Sequence, residues 1–191
     1  MDCCNHNKNT ILLPNPITQV ASMPYALYLS LQGKYFLGST TVLEFSNSTS
    51  AWAGLYNPLN SGVNLHVYSW LVPNNGPSPI RAQVWFNSNP PGQPILVPIV
   101  TPSNTAIHPS PRPKILMFQA SNVTSEPVGG VKAFVRRAPS ETTISDDEFG
   151  KFIFPPGGSF VMFLSNPETP DLPASATVVF TWWEERIDFC Q

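Results

Sequence analysis

Charge is what this chain most lacks. Lys, Arg, Asp and Glu make up 12% of its 191 residues, about half the usual share of roughly 25%. A soluble monomer covers itself with those residues; this one must use Asn, Ser, Thr, Pro and aromatic side chains. Such a mild exterior fits a protein whose sides are covered by copies of itself. The net charge is −2, and Arg136-Arg137 is the one basic pair. With no basic stripe to track a phosphate backbone, nucleic acid is not an expected partner. Long apolar runs are missing too: none reaches the ~18 residues of a membrane span. No apolar core follows the polar start MDCCNHNKNT, so a secretory signal peptide is not expected.

Helix-compatible stretches are equally scarce. The 22 prolines and 11 glycines are spread throughout, and proline removes a donor and clashes inside helices. What recurs instead is short runs of β-branched and aromatic residues between turn sequences such as NNGPSP, NPPGQ and PPGG, in which Pro fixes φ and Gly accepts positive φ. Strands are predicted over 41–47, 50–58, 62–74, 80–88, 114–122, 129–138, 149–158, 159–167 and 176–186, and 26–38 reads as one long strand or a hairpin about Gln32-Gly33. In 62–74, Val63, Leu65 and Val67 alternate with Asn64, His66 and Tyr68, the period of a strand with two different faces. The segment 94–100 contains Pro98 and reads as an edge strand or bulge. The expected fold is all-β: an antiparallel two-sheet sandwich, jelly-roll-like, over residues 25–191, preceded by an extended N-terminal arm over 1–24. The Pro-rich 101–113 and the acidic 138–149 are read as surface loops.

Catalytic chemistry finds little footing. His6, His66 and His108 sit in no nucleophile or metalloprotease motif, and His66 reads as a half-exposed strand residue. Glu184-Glu185 is the best carboxylate pair for glycoside hydrolysis. Neighbours on a strand face opposite ways, so the plain reading is one solvent-facing carboxylate and one paired with Arg186. Asp146-Asp147-Glu148 lacks the alternating ligands and turn glycine of a calcium loop. The tryptophans at 52, 70, 85, 182 and 183 suggest sugar stacking, but strand tryptophans more often anchor cores and interfaces. The chain is expected to be no enzyme and to need no cofactor or metal.

Sulfur is confined to the two ends: Cys3, Cys4 and Cys190. Three readings stand for them: free thiols, a zinc site completed by His6, or disulfides between subunits. Adjacent cysteines chelate poorly beside the usual CxxC spacing. A bond between Cys3 and Cys4 is strained, and three cysteines cannot all pair within one chain. That favours the inter-subunit reading among the specific ones.

Cys3 and Cys4 in MDCCNHN, ahead of a jelly-roll domain and with Cys190 in DFCQ, resemble the subunits of bacterial endospore appendages. The resemblance implies an arm that reaches neighbouring subunits and forms disulfides there, with Cys190 as acceptor. It also implies fibres made inside a cell and freed by lysis, hence an extracellular or spore-surface location without a signal peptide. The stretch LLPNPITQVASMPYALYLSLQGKYFLG is similar to an uncharacterised family of spore-forming Firmicutes. The leading expectation is a structural subunit whose partners are copies of itself, joined through the N-terminal arm, together with an anchoring protein. The alternative is a closed, trimeric jelly-roll binding module that recognises glycans or a surface.

Overall fold

The structure, a computed structural model, describes residues 22–46 and 48–187. Cys3, Cys4, Cys190 and the arm before residue 22 lie outside the described residues. The first element corrects an expectation. Helix α1 (Tyr25–Leu31) stands where 26–38 reads as strand or hairpin, with β1 (Tyr35–Ser39) following it. Pro24 leads into the helix at φ −56, a value its ring already holds. Gly33, at φ +69, closes it. Its N–H donates to the Ser30 carbonyl and the Lys34 N–H to that of Leu29, both at 3.0 Å. This pair of bonds is a Schellman cap, which favours a residue free to enter the left-handed region. The run YALYLSL is apolar on all sides and buries only Leu29, so it carries no helical stripe to read.

The remaining strands are β2 (Leu43–Phe45), β3 (Ser50–Tyr56), β4 (Val63–Pro73), β5 (Ile80–Phe86), β6 (Ile95–Leu96), β7 (Val100–Pro102), β8 (Leu116–Val123), β9 (Val131–Ala138), β10 (Thr143–Phe154), β11 (Ser159–Ser165), β12 (Ala174–Ala176) and β13 (Val179–Arg186). All pair antiparallel. One sheet runs β10-β4-β13-β1-β7, the other β6-β8-β3-β11-β5-β9, and β12-β2 form a separate ribbon. The pairing is nested. β1 meets β13, β3 meets β11, β4 meets β10 and β5 meets β9, with successive pairs falling in alternate sheets. A long antiparallel double ribbon wrapped around a core does this, and the result is an eight-stranded jelly roll. The segment between β5 and β9 contributes the extra strands. It sets β8 beside β3, β6 beside β8, and β7 beside β1. The strand expected over 94–100 is thus the short edge strand β6, as Pro98 requires.

The acidic cluster is the second correction. Asp146, Asp147 and Glu148 lie within β10, not in a loop. A bulge between Asp147 and Phe152, with Phe149 at φ 51 and Gly150 at φ 76, turns Glu148 inward. There its carboxylate accepts the Trp70 indole N–H at 3.2 Å. Charge patterning reads this run as solvated, but the register with β4 overrides it.

The core between the sheets holds Trp70, Trp182, Phe160, Phe180, Leu55, Leu65 and Ile80, all fully buried. Each such side chain contributes about 1.5–3 kcal/mol of burial. A second cluster, Trp52, Val161 and Phe163, lies on the opposite face of β3 and β11. Pro91 and Gly92 lie against it: Trp52 donates its indole N–H to the Pro91 carbonyl at 2.7 Å, and Gly92 sits beside Val123. β3 and β11 are therefore buried on both faces, which is why their sequences run apolar instead of alternating.

Candidate functional site

The end of β13 concentrates the polar chemistry. Glu184 and Glu185 do face opposite ways, though neither makes the ion pair with Arg186 that the sequence suggested. Glu184 points inward and is 7% exposed. One oxygen accepts the Ile115 N–H at 3.1 Å and the Trp182 indole N–H at 3.3 Å, and both oxygens share the Lys114 N–H at 2.9 and 3.0 Å. Burial raises its pKa, against the lowering pull of these donors. The carboxylate thus pins the chain just before β8 to β13.

Glu185 points outward and lies 3.1 Å from His66 Nε2. His66 is 5% exposed, contrary to its reading as a half-exposed strand residue. Its ring stacks on Trp183 at 3.6 Å between centroids, and Nδ1 lies 3.2 Å from the Gly150 carbonyl. The two ring nitrogens thus face the Gly150 carbonyl and the Glu185 carboxylate, both hydrogen-bond acceptors. The bulge in β10 brings Gly150 close enough for this. A Cβ there would stand 2.6 Å from Trp183 Nε1.

On the cleft side of Glu184 lies a cavity of about 870 Å³. Phe36, Val63 and Ile187 give it an apolar floor, and Lys34, Arg112, Lys114 and Arg186 line it. These cations come from the turn after α1, the segment before β8 and the end of β13. The backbone at Lys34, at Lys114 and beside Arg186 is anchored: Glu184 N–H donates to the Lys34 carbonyl at 3.1 Å, Lys114 N–H to the Glu184 carboxylate, and Ile187 N–H to the Gly62 carbonyl at 3.0 Å. Sequence reading missed this grouping because its three segments, at 34, 112–114 and 186, lie far apart in the chain. Only the spacing RPK at 112–114 hinted at it.

Of the tryptophans, Trp52, Trp70 and Trp182 are fully buried, as strand anchors should be. Trp85 is half-buried and has the Lys132 ammonium 4.9 Å from its ring centroid. Among the described residues no cluster of His, Cys, Asp and Glu could hold a metal ion. The predicted disulfide residues fall outside the described chain, so the structure neither joins nor separates them. It does describe the strand edges on which association between copies would depend. β6 ends one side of the six-stranded sheet and β9 the other. Beside β6, Ile95, Leu96 and Ile99 are 63%, 54% and 58% exposed. From Ala82 to Pro111 the chain carries no Asp, Glu, Lys or Arg. This edge therefore has none of the charges that usually guard an open strand.

Nested strand pairing, two packed sheets and a polar end cleft define a jelly-roll sandwich protein, a class that hosts many unrelated functions. Within it, this chain belongs to a family of unknown function (DUF6143), matched over residues 3–189. No curated protein and no solved structure matches it.

Proposed function

We propose that the chain is a structural subunit, not an enzyme, that self-assembles into an extracellular or spore-surface fibre, with Cys3, Cys4 and Cys190 locking neighbouring copies through disulfides. The observation that carries this reading is the uncharged, aliphatic β6 edge. Natural monomers guard such edges with charge, bulges, proline, short strands or covering segments; among the described residues this edge has Pro94, Pro98 and the two-residue length of β6, and no charge. On the opposite edge, β9 carries Lys132, Arg136 and Arg137. Each is neutralised within the chain, by Glu126 at 3.0 Å, Asp146 at 3.3 Å and Glu168 at 2.6 Å. A β6-to-β9 contact is head-to-tail and continues the sheet from copy to copy. A contact of this kind that does not close gives a filament. Disulfides from terminal arms would then make dissociation slow until they are reduced.

Sedimentation velocity on the full chain tests the edge. The wild type should run as large assemblies. Leu96→Lys, which places a charge on an exposed position, should shift them toward monomer without changing the melting temperature. A wild type that sediments as monomer at high concentration overturns the reading.

A second reading has its own observation. Tyr56, Phe118 and Trp85 are half-buried on the outer face of the six-stranded sheet, with Tyr56 and Phe118 edge-to-face at 5.6 Å. Such a platform suits a closed, trimeric binding module that stacks sugar rings. A discrete trimer that binds a glycan array through these residues would favour it over the fibre.

A further inference from the structure

The cations of this protein are sorted by location. Arg81, Lys132, Arg136, Arg137 and Lys151 each sit in an ion pair with a carboxylate. Lys34, Arg112, Lys114 and Arg186 have no ion-pair partner among the described residues, and all four line the one end cavity. The chain as a whole is net negative, so diffuse excess of positive charge does not account for them. Among the described residues the only carboxylate in the cavity wall is Glu184, and it offers them little. Its oxygens are turned into the fold and are occupied by the N–H groups of Lys114, Ile115 and Trp182.

We propose that this cavity is a binding site for a small organic anion carrying at least two negative charges, a polycarboxylate or a phosphate ester. The chemistry follows from the lining. Arg112 and Arg186 present planar forks suited to bidentate contact with carboxylate or phosphate oxygens. Lys34 and Lys114 add compact point charges that accept either anion. Phe36, Val63 and Ile187 give an organic body an apolar surface that a bare inorganic ion would leave unused. A cavity of about 870 Å³ lies within the range of roughly 300–1,000 Å³ usual for small-molecule sites. Gly62, also in the wall, has no atom within 4 Å of where a Cβ would stand, so a ligand can approach the backbone there closely. The backbone at residues 34, 114 and 187 is held by hydrogen bonds, so binding has to order the cationic side chains but not the chain that carries them there.

The test is calorimetric titration of the full chain with citrate and, separately, with inorganic pyrophosphate, each against sodium chloride of equal ionic strength. The proposal predicts saturable binding of one anion per chain, weakened as chloride is added. The tighter of the two anions tells carboxylate chemistry from phosphate chemistry. Arg112→Ser with Arg186→Ser should weaken binding by about tenfold per guanidinium removed. Arg81→Ser with Arg137→Ser, which removes cations already paired with Glu168, should leave it unchanged. All four positions are exposed, and unchanged melting temperatures confirm that both variants fold. Three results overturn the proposal: no saturable binding of either anion, equal weakening by the control pair, or tighter binding of a single-stranded oligonucleotide than of both small anions.

Discussion

Removing the Glu184 carboxylate is the sharpest perturbation the structure offers. Glu184→Ala deletes the acceptor for three N–H donors. Lys114 is exposed, so water can meet its N–H. Ile115 and Trp182 are 1% and 0% exposed, and their donors would be left unmet. A buried donor without a partner costs about 1–3 kcal/mol, so the loss should be about 2–6 kcal/mol. For a domain of this size each kcal/mol moves the melting temperature by about 2–4 °C. A central loss of about 4 kcal/mol therefore lowers it by about 8–16 °C, read by calorimetry or circular dichroism. Hydrogen exchange should show the amides of Lys114 and Ile115 losing protection first. Glu184→Gln keeps one acceptor oxygen and should lose only about 1–2 kcal/mol.

The same residue sets a pH dependence. Burial raises the Glu184 pKa in the folded chain, so the native state holds this proton to higher pH than the unfolded state does. Its contribution to stability is greatest below the ordinary carboxylate range, falls as pH rises through the raised value, and is constant above it. Glu184→Gln should abolish that slope. Glu126 works in the opposite sense. Hydrogen bonds from Gln83 and Lys132 lower its pKa, so its contribution is lost as pH falls through the lowered value. A Glu184→Ala protein that melts within about 2 °C of wild type, with the same pH profile, would refute the assignment of Glu184 as the pin between β13 and the segment before β8.

Gly150→Ala should be severe for its size. It puts a Cβ at φ 76 and 2.6 Å from Trp183 Nε1. The left-handed backbone costs about 1–2 kcal/mol and the overpacking about 1–3 kcal/mol. Denaturant titration should therefore show a loss of roughly 2–5 kcal/mol, and a loss under 1 kcal/mol contradicts the packing described for the β10 bulge. On the covalent lock, an oxidised sample should give a ladder on a non-reducing gel that reductant collapses. Cys190→Ser should remove the rungs that depend on it, and a single monomer band without reductant ends the disulfide proposal.

The sandwich was legible because its punctuation is local. Pro and Gly at NNGPSP and PPGG mark turns, and Val63, Leu65 and Val67 announce the inner face of β4 within a few residues. The nested pairing was not legible, since β1 meets β13 across most of the chain and nothing in Tyr35–Ser39 names its partner. Helix α1 escaped because seven residues, apolar on every side, resemble a buried strand; the Gly33 that caps it was visible but served equally well as a hairpin glycine. Asp146-Asp147-Glu148 looked solvated because charge is read locally, whereas the bulge that turns Glu148 inward depends on β4. The opposite facing of Glu184 and Glu185 followed from strand geometry alone. Their partners, the Lys114 and Ile115 amides for one and His66 for the other, are set by tertiary packing. Lys34, Arg112, Lys114 and Arg186 come together for the same reason.

The central claim is that this jelly roll assembles with copies of itself through open strand edges. Electron microscopy of the purified full chain, imaged without reductant, tests it most directly. The account predicts filaments of repeating subunits; dispersed monomers or closed, discrete oligomers would contradict it.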